Sequence, residues 1–267
     1  MLSPVGIKMA SFSMNWWLLP FVMVLMIGAL CPATGTILLT HRRLMQANLI
    51  SHAVLPGLAM ALAIGIDPAV GGVISGLLGA LLAERLVHGH AGADVAVLNT
   101  VLAGFLGLGV LLIPLLGLQI DLEAVLFGDL LTVSIADLGR TFVAILALLV
   151  FVASRYQQLV YLGVDPEGAA ASGMPVERLR FVLALVTALV VVSAMAAVGV
   201  VLVIGLLCAP VLIGLHKARS LRQAMVRSSL IGTLIAIGGF LLALLFNLPP
   251  GPLIGVLCMG LLLKRQF

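Results

Sequence analysis

Residues 16–39 read WWLLPFVMVLMIGALCPATGTILL, a run that contains no charged side chain. A helix needs about 20 mainly apolar residues to cross the hydrocarbon core of a bilayer, so this run is long enough to span. It is also longer than the apolar part of a secretory signal, and no small-residue cleavage pattern follows it. We therefore expect it to form the first transmembrane helix rather than a cleaved leader.

The rest of the chain has the same character. Of 267 residues, 63% are hydrophobic and only 9% are charged, with a mean hydropathy of +1.29. A water-soluble domain carries about 25% charged residues, so composition excludes that class. Solidly apolar runs also exclude strands that alternate in polarity. We expect an all-α, polytopic transmembrane bundle in one domain, residues 1–267. The eight or nine predicted spans cover residues 16–39, 46–66, 69–87, 95–118, 133–154, 178–197, 199–215, 229–247 and 251–263.

Basic residues are distributed unevenly among the predicted loops. With these spans, nearly all of them fall on one side of the membrane, and Lys8 and Arg140 are the exceptions. Cytoplasmic loops carry the excess of Lys and Arg, so the amino terminus is predicted outside and the carboxyl terminus in the cytoplasm. The same distribution explains the net charge of +4 without a nucleic-acid partner. The residues on the predicted cytoplasmic side are Arg42, Arg43, Arg85, Arg155, Arg178, Arg180, Lys217, Arg219, Arg222, Arg227, Lys264 and Arg265.

The sequence lacks the motifs of several enzyme classes. It has no phosphate-binding G-x-x-x-x-G-K-[ST] loop and no H-E-x-x-H zinc motif. Ser51 and His52 are adjacent, and neighbours on a helix point about 100° apart, so they cannot pair as nucleophile and base. The three cysteines have no paired spacing and are expected to pack in the core. We therefore expect a transport protein and not an enzyme, with no resident cofactor.

His52 is the first candidate for a functional side chain. An ionisable group inside a membrane span costs free energy, so its presence there indicates a function. Asn48 lies four residues earlier, so both side chains share one helix face. Neutral imidazole is a common ligand of transition metals. Pro56 cannot donate to the carbonyl of His52, which predicts a kink beside a pathway. The alternative is a structural histidine that bonds to a neighbouring helix, with Pro56 as a simple kink.

A second candidate is the segment 165–175, DPEGAAASGMP, which lies on the predicted cytoplasmic side. Asp165 and Pro166 suit the start of a helix, and Gly173 with Pro175 suits its end. A short helix with small side chains could fit a groove on another protein. An ordinary capped connector would have the same sequence, and the segment alone does not distinguish the two.

Asp137 and Arg140 form a third feature near the outer boundary of the fifth predicted span. They are three residues apart and can neutralise each other on one helix face. We expect a structural ion pair.

Several stretches together resemble one known family, the membrane permeases of ABC importers for manganese, zinc and iron. Residues 50–57, ISHAVLPG, match that family's Ser-His-Ala-Val-Leu-Pro-Gly motif, and residues 126–129, LFGD, resemble its Phe-Gly segment. Residues 167–173 are similar to its E-A-A-x-x-x-G coupling segment. Residues 199–203, Ala209-Pro210 and residues 248–252 are similar to later family positions. The resemblance covers nearly the whole chain.

The resemblance implies a homodimer in the inner membrane around a central metal pathway. It further implies two cytoplasmic ATPase subunits that bind ATP and an extracytoplasmic metal-binding protein. His52 and Asn48 would contact the metal, and Glu167, Ala170 and Gly173 would contact the ATPase. The family usually has Asp where this chain has Asn48, and the amide keeps the oxygen but loses the negative charge. The expected substrate is a divalent transition metal, manganese or zinc or iron.

Two other function classes remain open at this point. A gradient-driven secondary transporter or channel for a small polar solute would show intramembrane carboxylates or matching interrupted helices, and only Asp137 is a candidate acid. A non-transporting membrane scaffold would explain the glycine-rich spans but not His52 with Pro56.

Overall fold

A computed structural model describes residues 17–89, 93–118, 128, 130–216 and 218–264. Within these residues the chain is helical apart from turns and short connectors, with no β-strand. The nine α-helices and one 3₁₀ turn of the described part are α1 (Leu18–Thr40), α2 (Leu44–Ala63), α3 (Pro68–Gly89), α4 (Asp94–Leu115), a 3₁₀ turn (Leu130–Thr132), α5 (Ile135–Val164), α6 (Pro166–Ala171), α7 (Val176–Leu215), α8 (Leu221–Phe246) and α9 (Pro250–Lys264).

Seven helical segments in the described part of the chain are long and apolar enough to cross a membrane. Two shorter apolar helices, Leu202–Leu215 and Pro250–Leu263, accompany them. This confirms the predicted all-α transmembrane bundle. The burial of the segments differs: α1, α2 and the first part of α7 form most of the core, whereas α4, α5 and α8 expose apolar side chains. Exposed apolar helices are costly in water and favourable in lipid.

α7 is a helical hairpin with its turn at Gly199. That glycine has φ 76° and ψ 164°, a conformation that side chains with a Cβ rarely adopt. Ser193, on the first arm, lies beside Arg140 near the start of α5. Gly214, on the second arm, packs against Ser228, near the start of α8. The two arms therefore run in opposite directions, in agreement with the predicted spans 178–197 and 199–215.

The helix that contains the fifth predicted span, residues 133–154, is longer than that span. α5 continues to Val164, with only one residue, Arg155, outside helical geometry (φ −124°, ψ 16°). The polar residues after 154 end the apolar run, but no proline follows until Pro166. Leu159 and Leu162 are buried and hold this extension against the bundle.

Ion pairs mark the two ends of the bundle. At one end, the guanidinium of Arg140 forms ion pairs with Asp67 at 2.6 Å and with Asp137 at 2.9 Å. The predicted Asp137–Arg140 pair is thus confirmed, and Asp67 adds a contact between α5 and the loop before α3. At the opposite end, which includes α6, Arg43 contacts Glu84 at 2.7 Å and joins the start of α2 to α3. We refer to these as the Arg140 end and the α6 end.

Candidate functional site

One face of α2 is packed against α3 through small residues. A Cβ on either Gly57 or Gly71 would overlap the carbonyl oxygen of the other, so only glycine allows this backbone approach. The Ser75 hydroxyl donates to the carbonyl of Ala53 at 2.6 Å and satisfies a buried acceptor. Close glycine contacts and serine hydrogen bonds are typical of helix association in lipid. This face of α2 is structural.

The candidate metal-contacting residues lie on another face of α2. At about 100° per residue, His52 and Asn48 lie about 140° and 180° around the helix from Gly57. Both side chains are half-buried, whereas neighbouring positions such as Ser51 and Ala53 are fully buried. The structure therefore brings the two residues to one partly open surface, as their spacing predicts. Their role as metal contacts stays a prediction.

The His52 ring has an unsatisfied nitrogen. Nδ1 is buried and has no hydrogen-bond partner among the described residues. By contrast, the adjacent Ser51 hydroxyl donates to the carbonyl of Ala47 at 2.9 Å. Buried polar atoms nearly always have partners, so an orphaned imidazole nitrogen indicates a missing ligand or proton acceptor. The structural alternative, a histidine bonded to a neighbouring helix through this nitrogen, is not what the described residues show.

Among the described residues, the donors of one chain do not make a closed metal site. The described residues contain no group of three or more His, Cys, Asp or Glu side chains that could hold an ion. His52 can supply one neutral nitrogen and Asn48 one amide oxygen, which gives two candidate ligands on this face of α2. Such a set suits brief contact with a passing divalent cation better than tight storage.

Pro56 follows His52 by one turn, inside α2. The helix continues beyond it to Ala63, so the proline does not end the helix. The ring is buried, and Gly109 of α4 approaches here: a Cβ on Gly109 would lie 2.6 Å from Cβ of Leu55. α4 thus crosses α2 one turn beyond His52. The predicted kink at Pro56 stays a prediction.

The predicted coupling segment forms α6 and is capped at both ends. The Asp165 carboxylate accepts from the N–H of Gly168 at 2.9 Å. At the other end the N–H of Met174 donates to the carbonyl of Ala169 and that of Gly173 to Ala170, a Schellman motif. Gly173 has φ 77°, which explains the glycine at this position.

α6 divides into a buried and an exposed side. Ala169 is fully buried against the bundle, whereas Glu167, Ala170 and Gly173 are all exposed. The three predicted coupling residues therefore share an accessible surface at the α6 end. Their contact with an ATPase subunit stays a prediction.

A histidine that no sequence motif singled out, His41, connects the α5 extension to the turn before α2. His41 follows the last residue of α1, and its Nε2 lies 3.1 Å from the carbonyl oxygen of Leu159 in the α5 extension. A carbonyl only accepts, so Nε2 carries the proton. Burial, and to a smaller extent the charges of Arg43 and Arg180, lowers the pKa of His41 from 6.5 to about 4. The ring is therefore neutral at physiological pH.

Two other family-like stretches can be placed in part. The Phe-Gly segment at 126–129 lies outside the described residues except for Gly128, which has φ 71°. The stretch that begins at Gly199 forms the hairpin turn of α7. Pro210, on the returning arm, packs near Gly232 of α8.

Known proteins resemble this chain over nearly its full length. It is 33% identical over 245 residues to an uncharacterized membrane protein of the ycf23-apcF intergenic region of Cyanophora paradoxa, covering 91% of this chain and 82% of that protein. It is 30% identical over 231 residues to the manganese import system permease protein ScaB of Streptococcus gordonii, covering 86% and 83%.

A solved structure and a family profile extend this similarity. The structure of PsaBC from Streptococcus pneumoniae in complex with Fab superposes with a TM-score of 0.86 at 27% identity, covering 96% of this chain and 92% of that one. The profile of the ABC 3 transport family matches residues 14–266. The chain is a membrane-spanning permease that belongs to the ABC 3 transport family.

Proposed function

We propose that this chain is the membrane half of an ATP-driven importer for a divalent transition metal, with manganese as the first candidate and zinc or iron as the others. The observation that carries the proposal is the buried Nδ1 of His52, which lies on a half-open face of α2 and has no partner among the described residues. The name of the Streptococcus gordonii relative, a manganese import permease, supports the substrate class.

The proposed role of His52 is to exchange ligands with the metal as it passes. Neutral imidazole binds manganese, iron and zinc, and the amide oxygen of Asn48 suits the harder manganese ion. Because Asn48 carries no charge, the site attracts the cation less strongly than an Asp–His pair would. Weak binding favours release, which a transport pathway requires.

We propose three partners for the chain, each at a different surface: a second copy, an ATPase subunit and a metal-binding protein. A second copy would face the open side of α2 and bring a second His52 and Asn48 to the pathway, which doubles the two candidate donors of this face. We place α6 in the cytoplasm against an ATPase subunit that binds ATP, through Glu167, Ala170 and Gly173. An extracytoplasmic metal-binding protein would deliver the ion at the Arg140 end. The amino terminus is then outside the inner membrane and the carboxyl terminus in the cytoplasm.

The proposed coupling route runs through contacts between described residues. α6 follows α5 directly, because Asp165 ends one helix and caps the next. The carbonyl of Leu159, in the α5 extension, accepts a hydrogen bond from His41. α2 begins three residues after this histidine, at Leu44. A displacement of α6 by ATP hydrolysis in the partner would therefore reach the helix that carries His52 through rigid, packed elements.

The test is metal uptake into proteoliposomes that contain the chain with its ATPase subunit and metal-binding protein. Manganese, zinc and iron are supplied in turn, with and without ATP and with and without the ATPase subunit. His52→Ala is compared with wild type, and His216→Ala is the matched control because that histidine is exposed at the end of α7. We expect ATP-dependent uptake of one of these metals that His52→Ala abolishes and His216→Ala retains.

Two results would contradict this proposal. Uptake that proceeds equally without the ATPase subunit would indicate a gradient-driven transporter. Normal uptake by His52→Ala would remove His52 from the pathway and leave the metal route unassigned.

A further inference from the structure

A cleft lies between α5 and the first arm of α7, on the outer surface of the bundle. Its volume is about 430 Å³. Its walls are mainly apolar, with Phe151 on α5 and Leu179, Val182 and Leu189 on α7. At the α6 end the walls become polar, and Arg155 and Arg178 line the cleft from opposite helices. The cleft is therefore amphipathic along its length: cationic at one end and apolar over the rest.

The two arginines at this rim are not neutralised within the described part of the chain. Arg155 donates to the side-chain oxygen of Gln158 at 3.3 Å, and neither guanidinium has an ion pair with an acid there. Arg180, two residues from Arg178, does have one, with Glu177 at 3.6 Å. Arg155 and Arg178 are both exposed, so each can reach an anion at the mouth of the cleft.

The rim lies at the depth expected of a membrane surface. Arg155 is the residue at which α5 departs from helical geometry, and it directly follows the apolar run that begins near Arg140. Tyr156 and Tyr161 lie on the same extension, and aromatic residues are typical of the bilayer interface. The apolar part of the cleft then faces the hydrocarbon layer, and the cationic part faces the lipid headgroups.

We propose that this cleft binds an anionic phospholipid, with its phosphate between Arg155 and Arg178 and an acyl chain along Phe151 and Val182. Basic pockets between transmembrane helices bind anionic headgroups in this manner, and arginine pairs well with phosphate oxygens. The proposal uses neither the metal nor His52. The proposed orientation is used for one point only: it places the α6 end, and with it the cationic rim, in the cytoplasmic leaflet.

The chemistry of the cleft favours a lipid over other occupants. A soluble phosphate would satisfy the arginines but leave the apolar wall unused. A second copy of the chain seated here would bury two guanidinium groups, which is costly unless each meets an acid. An anionic phospholipid satisfies both parts of the cleft at once.

The test is native mass spectrometry of the full-length chain in detergent, titrated with phosphatidylglycerol and, separately, with zwitterionic phosphatidylcholine. We expect a tight phosphatidylglycerol adduct on the wild-type chain and weaker binding of phosphatidylcholine. The double variant Arg155→Gln/Arg178→Gln should bind phosphatidylglycerol about 30-fold more weakly, since each basic residue near a membrane surface contributes about fivefold. The matched control is Arg85→Gln/Arg219→Gln, which removes the same charge at the α6 end from exposed positions outside the cleft.

Two further variants keep the result interpretable if the glutamine pair folds poorly. Arg155→Lys/Arg178→Lys keeps both charges and should retain most of the binding. Val182→Trp fills the apolar wall while leaving the arginines in place, and should weaken binding of the lipid. Equal loss in the cleft variant and the control would overturn the proposal, because only net charge would then matter. Undiminished binding of phosphatidylglycerol by Arg155→Gln/Arg178→Gln would also overturn the proposal. So would a cleft variant that no longer forms dimers of the chain but still binds the lipid, because the cleft would then be a contact between two copies.

Discussion

Two histidines, His41 and His52, sit in the same quarter of the sequence and have opposite environments. His41 lies in the turn between α1 and α2, where its Nε2 donates to the carbonyl of Leu159 and its ring lies near Gly163. His52 lies within α2, and its buried Nδ1 has no partner in the described part of the chain. The first ring joins two parts of the protein, and the second has an unused nitrogen on a partly open surface.

The difference separates a structural from a functional use of the same side chain. A buried polar group that is hydrogen-bonded contributes to stability, and its removal leaves the partner unsatisfied. A buried polar group without a partner costs stability and is retained where a ligand supplies the missing contact. Loss of His41 should therefore be measured as unfolding, and loss of His52 as failed transport.

The largest effect is expected for His52→Ala. Because no hydrogen bond to Nδ1 from the described residues is lost, the thermal unfolding midpoint should change little. Metal uptake should fall at least as far as the roughly 10- to 100-fold lost when a residue that supports a metal ligand is removed. Uptake in proteoliposomes and unfolding in detergent measure the two quantities, with His216→Ala as the control. A variant that loses uptake only because it unfolds would show that the two histidines do not differ in kind.

His41→Ala should act in the opposite sense. It removes the hydrogen bond to Leu159 and leaves that carbonyl and a small cavity behind, so we expect a loss of about 2 kcal/mol in unfolding free energy at neutral pH. Uptake per folded molecule should fall only in part, because Ala169 still packs α6 against the bundle when the His41 contact is lost. Unchanged stability would mean that the His41–Leu159 contact does not hold the α5 extension in place.

The stability of the chain should fall in acid, in part because His41 becomes protonated on unfolding. Its pKa is about 4 in the folded chain and near 6.5 when unfolded, so between these values the unfolded chain binds more protons. Stability from this group is fully present above pH 6.5 and is lost as pH falls toward 4, by about 2 kcal/mol after allowance for the partly exposed ring. His41→Gln keeps a donor but does not titrate, so unfolding midpoints measured from pH 7 to 4 should fall less steeply than in wild type.

A smaller effect is expected for Asn48→Asp. The added carboxylate, one turn from His52, should strengthen binding of manganese severalfold and slow its release, because hard cations prefer charged oxygen ligands. Competition with a fluorescent metal indicator measures the affinity, and Gln46→Glu, on the same helix, is a control for charge alone. Equal changes in both variants would argue against a specific Asn48–His52 pair.

The fold could be predicted from the sequence to a large extent, because membrane helices depend on local apolar length. The runs around α1, α2 and α4 and the break at Gly199 are all visible in composition. The α5 extension could not be found in that way, since Arg155 ends the apolar run while the helix continues. Leu159 and Leu162 were a weak signal for it, because they are three residues apart and share a helix face beyond the polar residues 155–158.

The site was predicted less completely. The spacing of Asn48 and His52 indicated a shared face, and helix geometry alone is sufficient for that conclusion. The unpaired Nδ1 of His52, the His41–Leu159 contact and the Arg43–Glu84 pair depend on residues distant in the chain. No local pattern contains such information.

The most direct test of the account is pulsed electron paramagnetic resonance of Mn²⁺ bound to the assembled transporter, prepared with ¹⁵N-labelled histidine. The account predicts a ¹⁵N hyperfine coupling from a directly coordinated imidazole, absent in His52→Ala and retained in both His41→Gln and His216→Ala. A coupling that survives His52→Ala, or bound manganese with no nitrogen coupling in the wild type, would contradict the assignment of His52 to the metal pathway.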